Sequence, residues 1–150
     1  MQEFFPEIEI REDHAEAIAR GLMAVAKADG EVHPREGAMI EEFFVSVTDR
    51  PSDLGRFERE DAIKPETLAA QLPGADLRRL FIKTAYLLAY ADGHVGDGEA
   101  VLLNKFAAAL GVDKDEVALL EQQVKEFMLA QLSHLSNVEA IAEVAKELEV

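Results

Sequence analysis

The pattern Ala-Asp-Gly-x-Val-x-x-x-Glu occurs twice in this chain, at residues 28–36 and 91–99. Each copy joins two stretches of helical periodicity. Superposing the copies at an offset of 63 residues places Val25, Ala26, Ala28, Asp29 and Gly30 on Leu88, Ala89, Ala91, Asp92 and Gly93. Val32, Glu36, Met39, Ile40 and Phe43 then fall on Val95, Glu99, Leu102, Leu103 and Phe106. Apolar residues align with apolar ones on both sides of the turn, so each copy reads as a helix–turn–helix unit with the motif at its corner. The first unit is expected at about residues 13–47 and the second at about 75–110, separated by a loop at about 48–64.

Spacing fills in the rest. Ala15, Ile18, Ala19, Leu22, Val25 and Ala26 recur at three and four residues after Asp13, which predicts a helix over about 13–28. Pro34 suits a first helical turn, and Ile40, Phe43 and Phe44 carry that helix to about Val47. The polar stretch DRPSDLGRFEREDAIK, with Pro51, Gly55 and three arginines, reads as a connection. Pro65 opens a short helix that Pro73-Gly74 stops. The next helix, about 75–91, is apolar almost all round in its second half, through Tyr86, Leu87 and Tyr90, and is expected to be central. Helices follow over 98–110, ended by Gly111, and over 113–133, capped by Asp113. A last one starts at the Ser136/Glu139 capping box and carries Val138, Ile141, Ala142, Ala145 and Leu148. The expectation is one all-α domain spanning 1–150, a compact bundle of about seven helices, with the C-terminal helices at 113–149. Alternation of period two is confined to Phe4–Ile10.

Charge narrows the function. At a formal −15, the chain opposes the counterion release that drives nucleic-acid binding, and anionic lipid would repel it. Basic protein surfaces and cations are the electrostatically favoured partners. The opening MQEFFPEIEIRED predicts no secretory signal, and the longest apolar stretch, Thr84 to Ala91, is far short of the ~20 residues that span a bilayer. Cysteine is absent, which removes disulfide and thiolate chemistry and suits a reducing cytoplasm.

Two readings of the corner stand side by side. In the architectural one, Gly30 and Gly93 end helices in the left-handed region, and Val32 and Val95 plug the loops into the core. Asp29 and Asp92 bond turn amides, while Glu36 reaches back to the exposed amides of the next helix. In the second reading the two corners meet. Asp29, Glu36, Asp92 and Glu99 then converge with Asp97 nearby, and clustered carboxylates need a neutralising cation. Oxygen donors suit Ca²⁺, Mg²⁺ or Mn²⁺. His33 and His94 would admit Zn²⁺, which ranks lower because the two histidines do not align in the repeat. An EF-hand is excluded, since the Asp-to-Glu span is too short for one copy to wrap an ion.

Paired A-D-G-x-V-x-x-x-E corners in a small acidic helical chain resemble the TerB-like tellurite-resistance family, whose domain type also stands at the N-terminus of a membrane-anchored DnaJ-type co-chaperone. The likeness covers roughly residues 13–110. It implies a soluble bacterial stress or oxyanion-resistance protein with an acidic cluster suspected of holding metal, which here would be Asp29, Glu36, Asp92 and Glu99. The chain departs from the pattern where His33 replaces the usual cap of the second helix, and where Gly96-Asp97-Gly98 loosens the second corner and adds Asp97.

An enzyme is not expected. The glycines at 93, 96 and 98 lack a preceding strand and a Lys-Ser/Thr partner. No nucleophile has an evident histidine partner, and none of His14, His33, His94 or His134 follows a glutamate by three residues, as di-iron bundles require. His14 and His134 read as solvated or capping residues, and Tyr86 and Tyr90 as core aromatics with hydroxyls on a polar partner or in solvent. The expected function is a cytoplasmic, non-enzymatic stress protein with a paired acidic, cation-binding site. The alternative is a metal-free helical interaction module. In either case the partner is a protein, basic or itself membrane-associated, with no nucleic acid and no direct membrane insertion.

Overall fold

The structure is a computed structural model that describes residues 10–28, 30, 32, 34–48, 62–90 and 95–132. These residues form six α-helices and no strand: α1 (Glu12–Ala26), α2 (Pro34–Thr48), α3 (Pro65–Gln71), α4 (Ala75–Ala89), α5 (Asp97–Leu110) and α6 (Lys114–Leu132). The all-helical expectation holds for them. The expected helix from Ser136, the connection over 49–61 and the alternating opening before Ile10 lie outside the described residues.

Helices α1 and α4 form the centre. Helix α1 packs against α2 and α4, with lesser contacts to α3 and α5, and α4 packs against α5 and α6 as well. This explains why their burial is broader than a single stripe. Ten residues are buried on α1, from Ala15 to Ala26, and ten on α4, from Leu77 to Ala89. Alanines at 15, 17, 19, 24 and 26 let neighbours close on α1 from several sides. At the middle of the core Phe81 of α4 meets Phe106 of α5 edge-on, ring centroids 5.1 Å apart and planes at 65°, the arrangement that the ring quadrupoles favour. Gly21 of α1 faces that pair. A Cβ there would lie 2.5 Å from Phe81 Cε1 and 3.1 Å from Leu68 Cδ2, so the missing side chain is what lets α1 approach so closely.

Helix ends follow local chemistry, with one difference from expectation. Helix α1 begins one residue before Asp13; Arg11 holds the N-cap position without a side-chain cap bond, and Asp13 joins Glu12 in the first turn. Pro65 opens α3 at the first helical position, and Gly111 closes α5 at φ 73 in the left-handed region. Asp113 caps α6 as expected, its Oδ1 accepting the Glu116 amide at 2.8 Å. Where α3, α4 and α5 converge, the Arg78 guanidinium donates to three carbonyls: Nε to Leu72 at 2.8 Å, Nη1 to Leu110 at 3.0 Å and Nη2 to Ala69 at 3.0 Å. These carbonyls belong to the last turn and C-cap of α3 and to the last residue of α5, the negative ends of two helix dipoles. Among the described residues, no helix is long and apolar enough to cross a membrane.

Candidate functional site

Of the five acidic residues singled out by sequence, three are described. Glu36 is the third residue of α2 and Glu99 the third of α5, and both are turned inward, 8% and 6% exposed. Carboxylates are seldom buried to that degree without compensation. Among the described residues the buried polar side chains are these two glutamates and Thr84, whose hydroxyl donates to the Leu80 carbonyl of its own helix at 2.8 Å. Glu99 Oε1 accepts the Gly96 amide at 3.2 Å, which is one arm of a capping box. The return arm needs a side-chain oxygen at the N-cap, and glycine has none. Asp97, the first residue of α5, is exposed at the positive end of that helix. Asp29 and Asp92, with His33 and His94, lie outside the described residues. Among the described residues, no three His, Asp or Glu side chains come together as a metal-holding group.

Burial agrees across the superposed positions that are described. Val25 and Leu88 are 0% and 1% exposed, Ile40 and Leu103 both 0%, and Phe43 and Phe106 1% and 0%. Val32 and Val95 are both half-buried and pack on the core, as do Met39 and Leu102. Gly30 takes φ 100, the conformation expected at its corner.

A second feature sits on the other side of α5. Helices α5 and α6 diverge from the Gly111 corner and leave a groove of about 740 Å³, walled by Ala107 and Ala108 on α5 and by Val117, Ala118 and Glu121 on α6. Its floor is Tyr86 of α4. One turn further along α4, the Tyr90 hydroxyl donates to Glu121 Oε1 at 2.7 Å. Lys125 Nζ stands 3.8 Å from the same oxygen and 6.0 Å above the Tyr90 ring. Burial, and after it the Glu121 charge, pushes the Tyr86 phenol up to about 12. Tyr90 is raised as well, first by burial and then by its hydrogen bond to Glu121. Both phenols are therefore neutral over the physiological range, and that of Tyr90 is a fixed donor.

The Tyr90–Glu121 bond fulfils the expectation of a core aromatic with a polar partner. The sequence did not name Glu121, which lies 31 residues away; the signal open to it was the Tyr86/Tyr90 spacing of one helical turn. His14 departs from the solvated reading: its side chain is 14% exposed, with Nε2 4.0 Å from Asp13. With Glu16, Arg20 and Gln71 it lines a polar hollow of about 530 Å³ between α1 and the end of α3. His134 is outside the described residues. Comparison with known protein families, with curated proteins and with solved structures finds no match to this chain.

Proposed function

We propose that this chain is a TerB-like, non-enzymatic stress protein whose two Ala-Asp-Gly corners form a paired acidic site for a divalent cation. One observation carries the reading: the glutamates at matching motif positions, Glu36 and Glu99, are both buried where a first-turn glutamate would ordinarily lie in solvent. In this reading the units at about 13–47 and 75–110 are copies of one corner, and Asp29 and Asp92 complete the donor set with Asp97 at its edge. Oxygen donors alone favour Ca²⁺, Mg²⁺ or Mn²⁺ over Zn²⁺.

Calorimetric titration of chelator-stripped protein with each of the four ions tests it. Saturable binding is expected, lost in the Asp29→Asn/Asp92→Asn double variant while the helical circular dichroism is retained. A cation at a hundredfold its dissociation constant should also stabilise the fold by about 2.7 kcal/mol. Wild-type protein that binds none of the four below millimolar concentration would reduce the corners to architecture.

The groove between α5 and α6 favours a second reading, in which the chain is a metal-free module that works by contact with another protein. Helical bundles offer such clefts between diverging helices, and this one is apolar with a few fixed polar groups.

A further inference from the structure

The two tyrosines of α4 differ in one respect. The Tyr90 hydroxyl is held by Glu121, whereas the Tyr86 hydroxyl has no hydrogen-bond partner among the described residues. Tyr86 is nevertheless only 7% exposed. Buried tyrosine hydroxyls usually find a partner, and leaving the bond unmade is unfavourable. What Tyr86 borders instead is the groove between α5 and α6. A guest that accepted from the hydroxyl there would supply the missing bond. The groove has the size for one: its volume of about 740 Å³ lies within the ~300–1,000 Å³ usual for small-molecule sites. It has the composition too. Ala107, Ala108, Val112, Val117 and Ala118 offer apolar contact, and Asn104 adds a neutral amide on α5. Sites of this kind take an apolar body and fix its orientation with a few polar groups.

The charges that line the groove narrow the ligand. Asp113 and Glu121 stand against Lys114, and both carboxylates already have partners. Asp113 Oδ1 accepts the Glu116 amide, and Glu121 Oε1 holds the Tyr90 hydroxyl with Lys125 Nζ 3.8 Å away. Burial, and after it the Glu121 charge, keeps the Tyr86 phenol protonated, so its hydrogen is available to an acceptor. A ligand anion beside Tyr86 would meet the same Glu121 charge that disfavours the phenolate. A ligand cation seeking Glu121 would meet the Lys125 ammonium at that carboxylate. An uncharged ligand escapes both penalties. We propose that the groove between α5 and α6 binds a small, uncharged, largely apolar molecule whose carbonyl or hydroxyl oxygen accepts a hydrogen bond from Tyr86. The proposal is independent of the acidic corners, and it gives the groove to a ligand in place of the protein contact of the second reading.

The test titrates the full chain with acetophenone, an aromatic ketone, and follows amide shifts by NMR. Saturable shifts centred on Tyr86, Ala107, Ala108 and Val117 are expected. Ethylbenzene, which has the shape without the acceptor, should bind about fivefold more weakly. Tyr86→Phe keeps the ring and removes the hydroxyl. It should cost acetophenone that same factor, leave ethylbenzene unaffected and leave Tm no lower, because the free protein loses no bond. Ala108→Leu and Ala118→Leu, both at exposed positions, should fill the groove and abolish binding while the helical circular dichroism is retained. Benzoate and benzylammonium should each bind more weakly than the ketone, and either binding as tightly would overturn the uncharged ligand. Equal affinity for acetophenone and ethylbenzene would overturn the role of Tyr86, as would a Tyr86→Phe variant of lower Tm, which would mean that the hydroxyl is already engaged. No saturable binding, or shifts on another face, would overturn the site and leave the interaction reading standing. Two other occupants are separable. Groove amides that move on simple dilution would assign the groove to a second copy. Because the chain lacks cysteine, Ala108→Cys takes a single spin label, and broadening of resonances from residues 136–149 in the free protein would assign it to the chain's own segment. Either result overturns the proposal.

Discussion

Replacing a mid-helix glycine with alanine ordinarily stabilises a protein, since glycine costs about 1 kcal/mol relative to alanine inside a helix. Gly21 of α1 should do the opposite. The added methyl carbon would stand 2.5 Å from Phe81 Cε1 and 2.9 Å from Cζ, against the ~3.5–4.0 Å at which carbon atoms attract. Phe81 has nowhere to retreat, being fully buried with its ring set edge-on against Phe106. Relief requires either that the ring leave Phe106, at about 0.5–1.5 kcal/mol for the aromatic pair, or that α1 back away from α4. Overpacking of this kind costs about 1–3 kcal/mol. A 2.5 Å approach belongs at the upper end of that range, so after the propensity gain of about 1 kcal/mol Gly21→Ala should be net destabilising by about 1–2 kcal/mol, which for a chain of this size lowers Tm by roughly 2–8 °C. Thermal unfolding followed by circular dichroism reads it directly. The cause is isolated by a double-mutant cycle with Phe81→Leu, which shortens the obstructing ring: the two changes together should cost at least about 1 kcal/mol less than their sum. A Gly21→Ala variant as stable as wild type, or strictly additive behaviour in the cycle, would refute the argument from close approach.

Two further outcomes follow from the polar contacts. Arg78→Ala should lose about 2–4 kcal/mol in urea unfolding, because three charge-assisted bonds to half-buried carbonyls disappear together. Arg78→Lys should recover less than half of that, since one ammonium cannot span the Ala69, Leu72 and Leu110 carbonyls, and a lysine variant equal to wild type would contradict the assignment. The tyrosines predict the alkaline limb of stability. Their folded pKa values lie above the unfolded 10.0, so the native state binds more protons and stability is lost as pH rises from 10.0 through about 12. Tyrosinate absorbance should therefore titrate late, and Glu121→Gln should move it back toward the free phenol; unchanged midpoints would sink the Tyr90–Glu121 pairing.

Features set by neighbours along the chain were legible in the sequence. Pro34, Pro65, Gly111 and Asp113 mark helix ends because each satisfies a backbone requirement within one turn, and α2 to α6 begin or stop within two residues of where those signals put them. The centrality of α4 was legible too, since apolar residues on every side leave a helix no face for water. Features fixed by distant contact were not. Nothing in Leu77-Arg78-Arg79 says that one arginine will turn to backbone carbonyls while the next pairs with Glu116 across to α6. Glu36 and Glu99 could be assigned to first helical turns by counting. Their inward orientation depends on how each corner leans on the core, which periodicity does not encode. Whether the two corners approach each other is a matter of tertiary placement, and Asp29 and Asp92 lie outside the described residues. The groove lies between two helices, each of which is ordinary alone.

Arg78 also bears on how the corner between α5 and α6 keeps its place. Its Nη1 holds the Leu110 carbonyl, the last of α5 and one residue before the turn into α6, while the other two bonds tie that apex to α3. The end of α5 is thus anchored from outside the groove by a side chain of α4 that holds α3 as well, and the neighbouring Arg79 pairs with Glu116 of α6. A helix end held by three bonds has little backbone freedom left to lose. Cutting the Arg78 bonds would leave every groove-lining residue in place and still free the end of α5.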